Sequence, residues 1–578
     1  MTLSYVSITC TPSPSTLDIL TSRQHQRRNN HLAIGATLSH SPTPDIILHL
    51  HNCAQIRRQI HYLFYDMGAG QSKQVAASAV GREKGEIAQR MSKLSVAGKM
   101  QEALETYVCV DEDPPTYSSS KRNTTLSIPE TKHWEKGLLA DPKNRLALSA
   151  LSSHSPTTII ASHAAEIADT HVFNIRIPLE GAPITNQHSS GRCWLFASTN
   201  VFRVALMKLY NVKSFELSQA YPFFWDKMEK ANWFLENAID TASEALDGRL
   251  MQRLMSSPMS DGGQWDMVTN LVGKYGLVPK ELYPDTYNAK SSSFLGKLVT
   301  TKLREDALVL RKMATSFDPS VRASIGDTKK KFLQEIHSIL TILLGPPPSP
   351  EEKFTWEYYD ANGKFCKLSM TPLEFASSLS SREGLRACKG TDVNELFSLV
   401  NDPRNSYERL LTVDRLGNVV GGQPVTYVNV DMNTIKAGAI AMLKAGIPVF
   451  FGSDVGKYSN SASGIMDHAL YDYSLGFNVN LGMSKAERLQ TGESSMTHAM
   501  VLTAVHIGDD GKPLRWRVEN SWGDAKGDKG WFVMTDKWMD EFVYQVVVDP
   551  RFVSQGVRDV LKQAPLTLPL WDPMGALA

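Results

Sequence analysis

Cysteine is scarce in this 578-residue sequence: Cys10, Cys53, Cys109, Cys193, Cys366 and Cys388 are scattered, with no C-x-x-C pair and no repeated spacing. Such usage argues against a secreted disulfide framework and suits thiols kept reduced in the cytosol. An excess of one charge is missing too, since 61 Lys and Arg stand against 60 Asp and Glu. No bulk field therefore drives the chain to nucleic acid or to an anionic membrane surface. The short run Lys329-Lys330-Lys331 reads as a solvated helix face. No apolar stretch approaches the roughly 18 residues that a membrane-crossing helix needs, so a soluble protein is expected. There is no internal repeat. What is present is length and a 42% share of hydrophobic residues, enough to bury more than one core.

Acids are rare in the first sixty positions, where Asp18 and Asp45 face Arg23, Arg27, Arg28, Arg57 and Arg58. Acid-poor, Arg-bearing sequence is what a mitochondrial transit peptide looks like. An extension upstream of a start at Met67 reads equally well, and a start there would expose Gly68 in a partial myristoylation pattern. Residues 1–66 are therefore set apart as an extension. The protein is expected in the cytoplasm, with a mitochondrial form if 1–66 are translated. His49, His51 and Cys53 alternate as ligands on a strand would, but they lack a fourth partner, and no metal or cofactor is expected.

Periodicity organises the rest. Residues 67–165 read as a helical region, with apolar positions at helical spacing from 74 to about 107 and a polar loop at 111–125. A short alternating strand at 172–178 leads into 193–210, which is strongly apolar and free of interior Gly and Pro, hence a buried helix. Ser189-Ser190-Gly191 before it can cap that helix and allow an unusual backbone. From 284 to 422 the pattern is mainly helical, interrupted by Gly345-Pro346-Pro347-Pro348-Ser349-Pro350. Beyond 423 strand signals dominate, including a hairpin of 499–506 and 514–518 around Gly508-Asp509-Asp510-Gly511. Prolines at 565, 569 and 573 predict an extended arm within 556–578. The class is α+β.

Chemistry concentrates at Cys193. A helix N-terminus lowers the pKa of a thiol, and a thiolate needs a base whose tautomer is fixed by a third group. His498 and Asn520 lie at the ends of the predicted hairpin strands, which pairing makes neighbours. Taken alone, a cysteine at such a position is more often a small core residue. Three segments reverse that reading: Gln187-His188-Ser189-Ser190-Gly191-Arg192-Cys193-Trp194, Met496-Thr497-His498-Ala499-Met500 and Glu519-Asn520-Ser521-Trp522-Gly523. Together, and in this order, they resemble the active-site segments of the papain-like cysteine peptidases. A weaker fourth segment, Asp261-Gly262-Gly263-Gln264-Trp265, is similar to that family's paired-glycine stretch along the substrate cleft. The long insertion and the ending Trp571-Asp572-Pro573-Met574-Gly575-Ala576-Leu577-Ala578 resemble the bleomycin hydrolase branch.

The resemblance implies a papain-like fold of two subdomains: a helical left half at 166–283 and an antiparallel β half at 423–555, with 284–422 as an insertion. It implies Cys193 as nucleophile, His498 as proton-transfer partner and Asn520 as its orienting group. The Gln187 amide would hold the oxyanion, and Trp522 and Trp194 would shield the site or face substrate. It further implies that the arm lies in the cleft with the Ala578 carboxylate receiving the substrate's α-amino group, which makes the activity an aminopeptidase acting on peptides and on the amide of bleomycin-like compounds. A homohexamer is implied as well. Ser190 stands where secreted members carry a disulfide cysteine, and His498 follows Cys193 by about 305 positions because of the insertion. His188 and His468 are the competing histidines; His188 precedes the helix and would point with the loop, and His468 is followed by no Asn-Ser-Trp segment one strand on. A nucleic-acid-binding or scaffold assembly that retains the fold, and a transferase using the same thioester, are the alternatives.

Overall fold

The computed structural model describes residues 125–387 and 389–577. Expectations for residues 1–124, including the transit, myristoylation and metal readings, and for Cys388 and Ala578, lie outside the described residues. The main helices are α1 (Ile128–Ala140), α2 (Pro142–Leu151), α3 (Cys193–Leu209), α4 (Ala220–Asp240), α5 (Trp265–Tyr275), α6 (Ser293–Ala314), α7 (Ile325–Leu344), α8 (Met432–Ala445) and α9 (Asp536–Phe542). No helix among the described residues is long and apolar enough to cross a membrane.

The strands are β1 (Ile175–Arg176), β2 (Phe354–Tyr359), β3 (Phe365–Met370), β4 (Phe397–Val400), β5 (Arg409–Val413), β6 (Tyr427–Asn429), β7 (Val449–Ser453), β8 (Ser459–Asn460), β9 (Ile465–Met466), β10 (His498–Ile507), β11 (Pro513–Glu519), β12 (Trp531–Thr535), β13 (Val543–Val548) and β14 (Leu566–Leu568). All but β2 and β3 join one sheet in the order β14-β5-β6-β4-β13-β7-β10-β11-β12-β9-β8, with β1 beside β10. Pairing is mostly antiparallel, with parallel exceptions at β14/β5, β4/β6 and β12/β9.

Central strands β7 and β13 are buried throughout, and β10 over all but its last two residues, the pattern of strands covered on both faces. The covers are α3, which packs against β10 and β7, and α8, which packs against β10 and β13. Helix α3 is buried from Cys193 to Met207, as an all-round apolar helix must be. Trp194, Trp265, Trp516 and Trp538 are fully buried. Each such ring removes roughly 200 Å² from water, about 5 kcal/mol of transfer free energy before ordering costs.

The block expected to be mainly helical, 284–422, carries its long helices up to α7 and only short ones, Pro372–Ser377 and Arg382–Ala387, beyond it. The proline run ends α7 at Gly345 (φ +80°). An antiparallel hairpin of β2 and β3 follows, and then β4 and β5 enter the main sheet. Asp360 makes that hairpin by accepting the backbone N–H of Asn362 and Lys364, with Gly363 at φ +79° closing the turn. Within 556–578 the extended stretch follows a short helix. Ser554 caps a short helix, Gln555–Val560, and only beyond it does the chain extend, pairing β14 in parallel with β5.

Candidate active site

Cys193 is the first residue of α3, and the preceding loop reaches it without a side-chain cap from Arg192. Ser190, expected to cap, instead donates to Gln187 O at 2.6 Å and accepts from Arg192 Nε at 3.0 Å. The unusual backbone falls on His188 (φ 52°). Gly191 answers a different need, since a Cβ there would meet Asp261 Cβ at 2.7 Å.

His498 opens β10, and the N–H of the next residue, Ala499, points at the Cys193 sulfur. That contact brings the helix start and the strand start together. His498 Nε2 lies 2.8 Å from Asn520 Oδ1, which also accepts the Ser521 N–H at 2.8 Å. The Trp522 ring covers the imidazole at a centroid distance of 4.8 Å and 31° between planes. Gln187 is fixed on both sides: its Oε1 accepts from Ser521 Oγ at 2.7 Å, and its Nε2 donates to Ser190 O at 2.7 Å. A carboxamide nitrogen carries two N–H groups, so one is left to point elsewhere. The Gln187 backbone N–H adds a bond to Ser521 O at 2.8 Å.

Burial dominates the electrostatics. It pushes the Cys193 thiol up to about 11, against the pull of the Ala499, Trp194 and Cys193 backbone N–H groups. It pushes the His498 imidazole down to about 4, with the Asn520 contact opposing. Each charged form is thus disfavoured alone.

Trp194 donates its Nε1–H to Asp261 O at 2.7 Å and lies against Gly263, where a Cβ would sit 2.5 Å from the indole. Sequence reasoning missed what holds this segment in place. Lys227 pairs with the Asp261 carboxylate at 2.6 Å, and Lys230 reaches Asp226 at 2.8 Å and Gly262 O at 2.6 Å. Asp261 also accepts the Gly191 N–H at 3.2 Å. Burial alone would raise Asp261, but Lys227 outweighs it and holds the carboxyl below the usual range. Both lysines are buried on α4. The only available signal was the i, i+4 spacing of Asp226 and Lys230, which ordinarily marks a solvated face, and Lys227 has no acid at that spacing.

The arm reaches the same region. Gln264 Nε2 donates to Ala576 O at 2.7 Å, and Leu577 lines a cavity of about 270 Å³ with Lys230, Trp233, Arg253 and Arg415. Arg404 anchors the arm upstream through Asp572 at 2.8 Å. Of the two competing histidines, His188 is exposed on the loop beside Gln187, and His468 stacks on Tyr458 at 5.0 Å between centroids. Among the described residues no group of three or more His, Cys, Asp or Glu is disposed to hold a metal.

Residues 125–575 match the model of the Peptidase C1-like family, and the chain belongs to that family: it is a cysteine peptidase with a papain-like fold of mixed helices and sheet. Its relatives narrow the class. Bleomycin hydrolase of Homo sapiens is 44% identical over 449 residues, 76% of this chain and 96% of that protein. Cysteine proteinase 1, mitochondrial, of Saccharomyces cerevisiae is 40% identical over 474 residues, 80% of this chain and 95% of its own. A crystal structure of PepW from Lactobacillus rhamnosis superposes with a TM-score of 0.74 at 41% identity, covering 79% of this chain and all of that one. The chain is thus a bleomycin hydrolase homologue.

Proposed function

We propose that the protein is a cysteine aminopeptidase that removes N-terminal residues from peptides through a thioester on Cys193, and that it also hydrolyses the amide of bleomycin-like compounds. The Cys193 sulfur attacks the scissile carbonyl after passing its proton to His498, which then protonates the leaving amine and later activates water on the thioester. Asn520 fixes the imidazole. The remaining Gln187 N–H and the Cys193 backbone N–H hold the oxyanion, each donor being worth about 3 kcal/mol. Trp522 excludes water from the His498 to Asn520 hydrogen bond.

The observation that carries the aminopeptidase reading is the hydrogen bond from Gln264 to Ala576 O. It ties the arm to the residue beside Gly263, which packs on the tryptophan next to Cys193. An occupied cleft leaves room for only one or a few residues ahead of the scissile bond, with the Ala578 carboxylate meeting the substrate α-ammonium. The test is a peptide-library cleavage map of the intact protein, of Cys193→Ala and of a variant lacking residues 574–578. Loss of all cleavage in the first variant and a shift toward internal cleavage in the second are expected; unchanged cleavage positions without the arm would sink the exopeptidase reading.

The same reading divides the catalytic unit into a nucleophile half at 166–283 and a β half at 423–555. Self-association as a hexamer draws support from α1 and α2, which bury no residue and expose Ile128, Trp134, Leu138, Leu146 and Leu148. Light scattering on the purified chain tests it, and a monomer would refute it. A cytoplasmic location, with a mitochondrial form if residues 1–66 are translated, completes the proposal.

A further inference from the structure

Away from the reacting atoms, one buried ion pair joins α3, the stretch leading to Gln187 and the strand end that carries Asn520. Arg203 lies on α3, ten residues after Cys193, and its guanidinium pairs with Glu519, the residue just before Asn520; their side chains are 0% and 1% exposed. The same guanidinium donates to Pro183 O at 2.7 Å and Phe215 O at 3.4 Å. Pro183 begins the stretch that leads to Gln187. Gly181 makes the room, since a Cβ there would sit 2.4 Å from Arg203 Nε.

Nearer the site a second tier of contacts repeats the connection. Asn200 of α3 donates to Thr185 Oγ1 at 3.1 Å, and Thr185 O accepts the Gly523 N–H at 3.0 Å. The other cation near Glu519 is already engaged, because Arg517 donates to Glu180 at 3.0 Å. Glu519 therefore depends on Arg203. Desolvating such a pair costs about as much as the attraction returns, so net stability is a poor reason for its presence. Geometry is a better one. A guanidinium presents its donors in a rigid planar fork, which fixes the direction as well as the distance of what it binds.

We infer that Arg203 is a positioning residue: by gripping Glu519 and Pro183 O at once, it sets the angle and spacing between α3 and the strand end at Asn520, and so aligns Cys193, His498 and Gln187. The inference rests on the catalytic roles proposed above. A shift of about 1 Å between reacting groups can lower a rate roughly a hundredfold without unfolding anything.

The test compares Arg203→Lys, Glu519→Gln and the double variant Arg203→Met with Glu519→Met, alongside Cys193→Ala, in the full chain. Steady-state hydrolysis of an aminoacyl-coumarin, the pH dependence of Cys193 alkylation by iodoacetamide, and thermal unfolding are measured on each. The double variant removes both charges together, leaving neither one buried alone. It is expected to melt near the parent, to lose at least tenfold in kcat with KM within about twofold, and to shift its alkylation profile. Arg203→Lys should lie between parent and double variant, since it keeps the charge and loses the fork. A folded double variant with parental kcat and alkylation profile would overturn the inference, as would losses that merely follow melting temperature across the set. If the double variant does not fold, Arg203→Lys and Glu519→Gln decide by the same two readouts. Activity surviving in Cys193→Ala would instead overturn the catalytic reading beneath it.

Discussion

At the scale of single residues, His498 makes acid a specific threat to this protein. Its imidazole titrates at about 6.5 in an unfolded chain and at about 4 in the fold because burial disfavours the cation. Between those values the unfolded chain binds a proton that the folded chain refuses, so stability is fully present above 6.5 and is lost as pH falls toward 4. Denaturant melts from pH 7 to pH 4 should show the parent losing on the order of 3 kcal/mol relative to His498→Asn. Parallel curves would show that the ring is protonated at no cost in place. His498, Cys193, Asn520, Gln187, Trp194 and Trp522 were legible in the sequence because each sits in a short segment whose neighbours carry the meaning. Lys227, Lys230 and Arg203 were not, and Asp261 was legible only as the start of the paired-glycine stretch. Their partners lie in distant segments or, like Asp226, look solvated on an amphipathic helix, and no local pattern distinguishes a buried lysine from an exposed one.

Elements meet at the site through surfaces with no spare volume. Gly263 touches the Trp194 indole, so Gly263→Ala must push the ring that begins α3 or lift the paired-glycine segment held by Lys230. Overpacking of this kind costs about 1–3 kcal/mol. The variant is expected to melt several degrees lower and to lose activity in larger proportion than its folded fraction; a full-activity variant with parental melting would mean the contact is slack. Helix α3 could be read from periodicity to within a residue, and so could β10 and β11. The hairpin of β2 and β3 could not, because a six-residue alternation in Phe354–Tyr359 gives little periodic signal beside long helices and a proline run. Strands β4 and β5 were hidden for another reason. Fully buried on most positions, they carry short apolar runs that fit a core helix as well as a strand.

On the scale of the molecule, the arm is held by few tethers: β14 on β5, Arg404 to Asp572, Arg249 over the Trp571 ring at 4.3 Å, and Gln264 to Ala576. Asp572 is 12% exposed and its partner 13%, so the pair is screened little and should matter to the arm's placement. Asp572→Ala is expected to raise internal cleavage of a long peptide relative to removal of its first residue. Mass analysis of timed digests reads the ratio directly, and a ratio equal to the parent's would show that Asp572 is dispensable for holding the arm.

The order of the sheet has a temporal side. Strand β13 lies between β4 and β7, and β14 closes the edge beside β5, so late sequence completes layers begun much earlier. A ribosome therefore delivers Cys193 long before it delivers His498 and Asn520. If Cys193 and His498 act as proposed, the partly made chain carries a thiol with no base beside it until nearly all of it has been synthesised. On the roles proposed for these residues, synthesis itself keeps the chain silent over that interval.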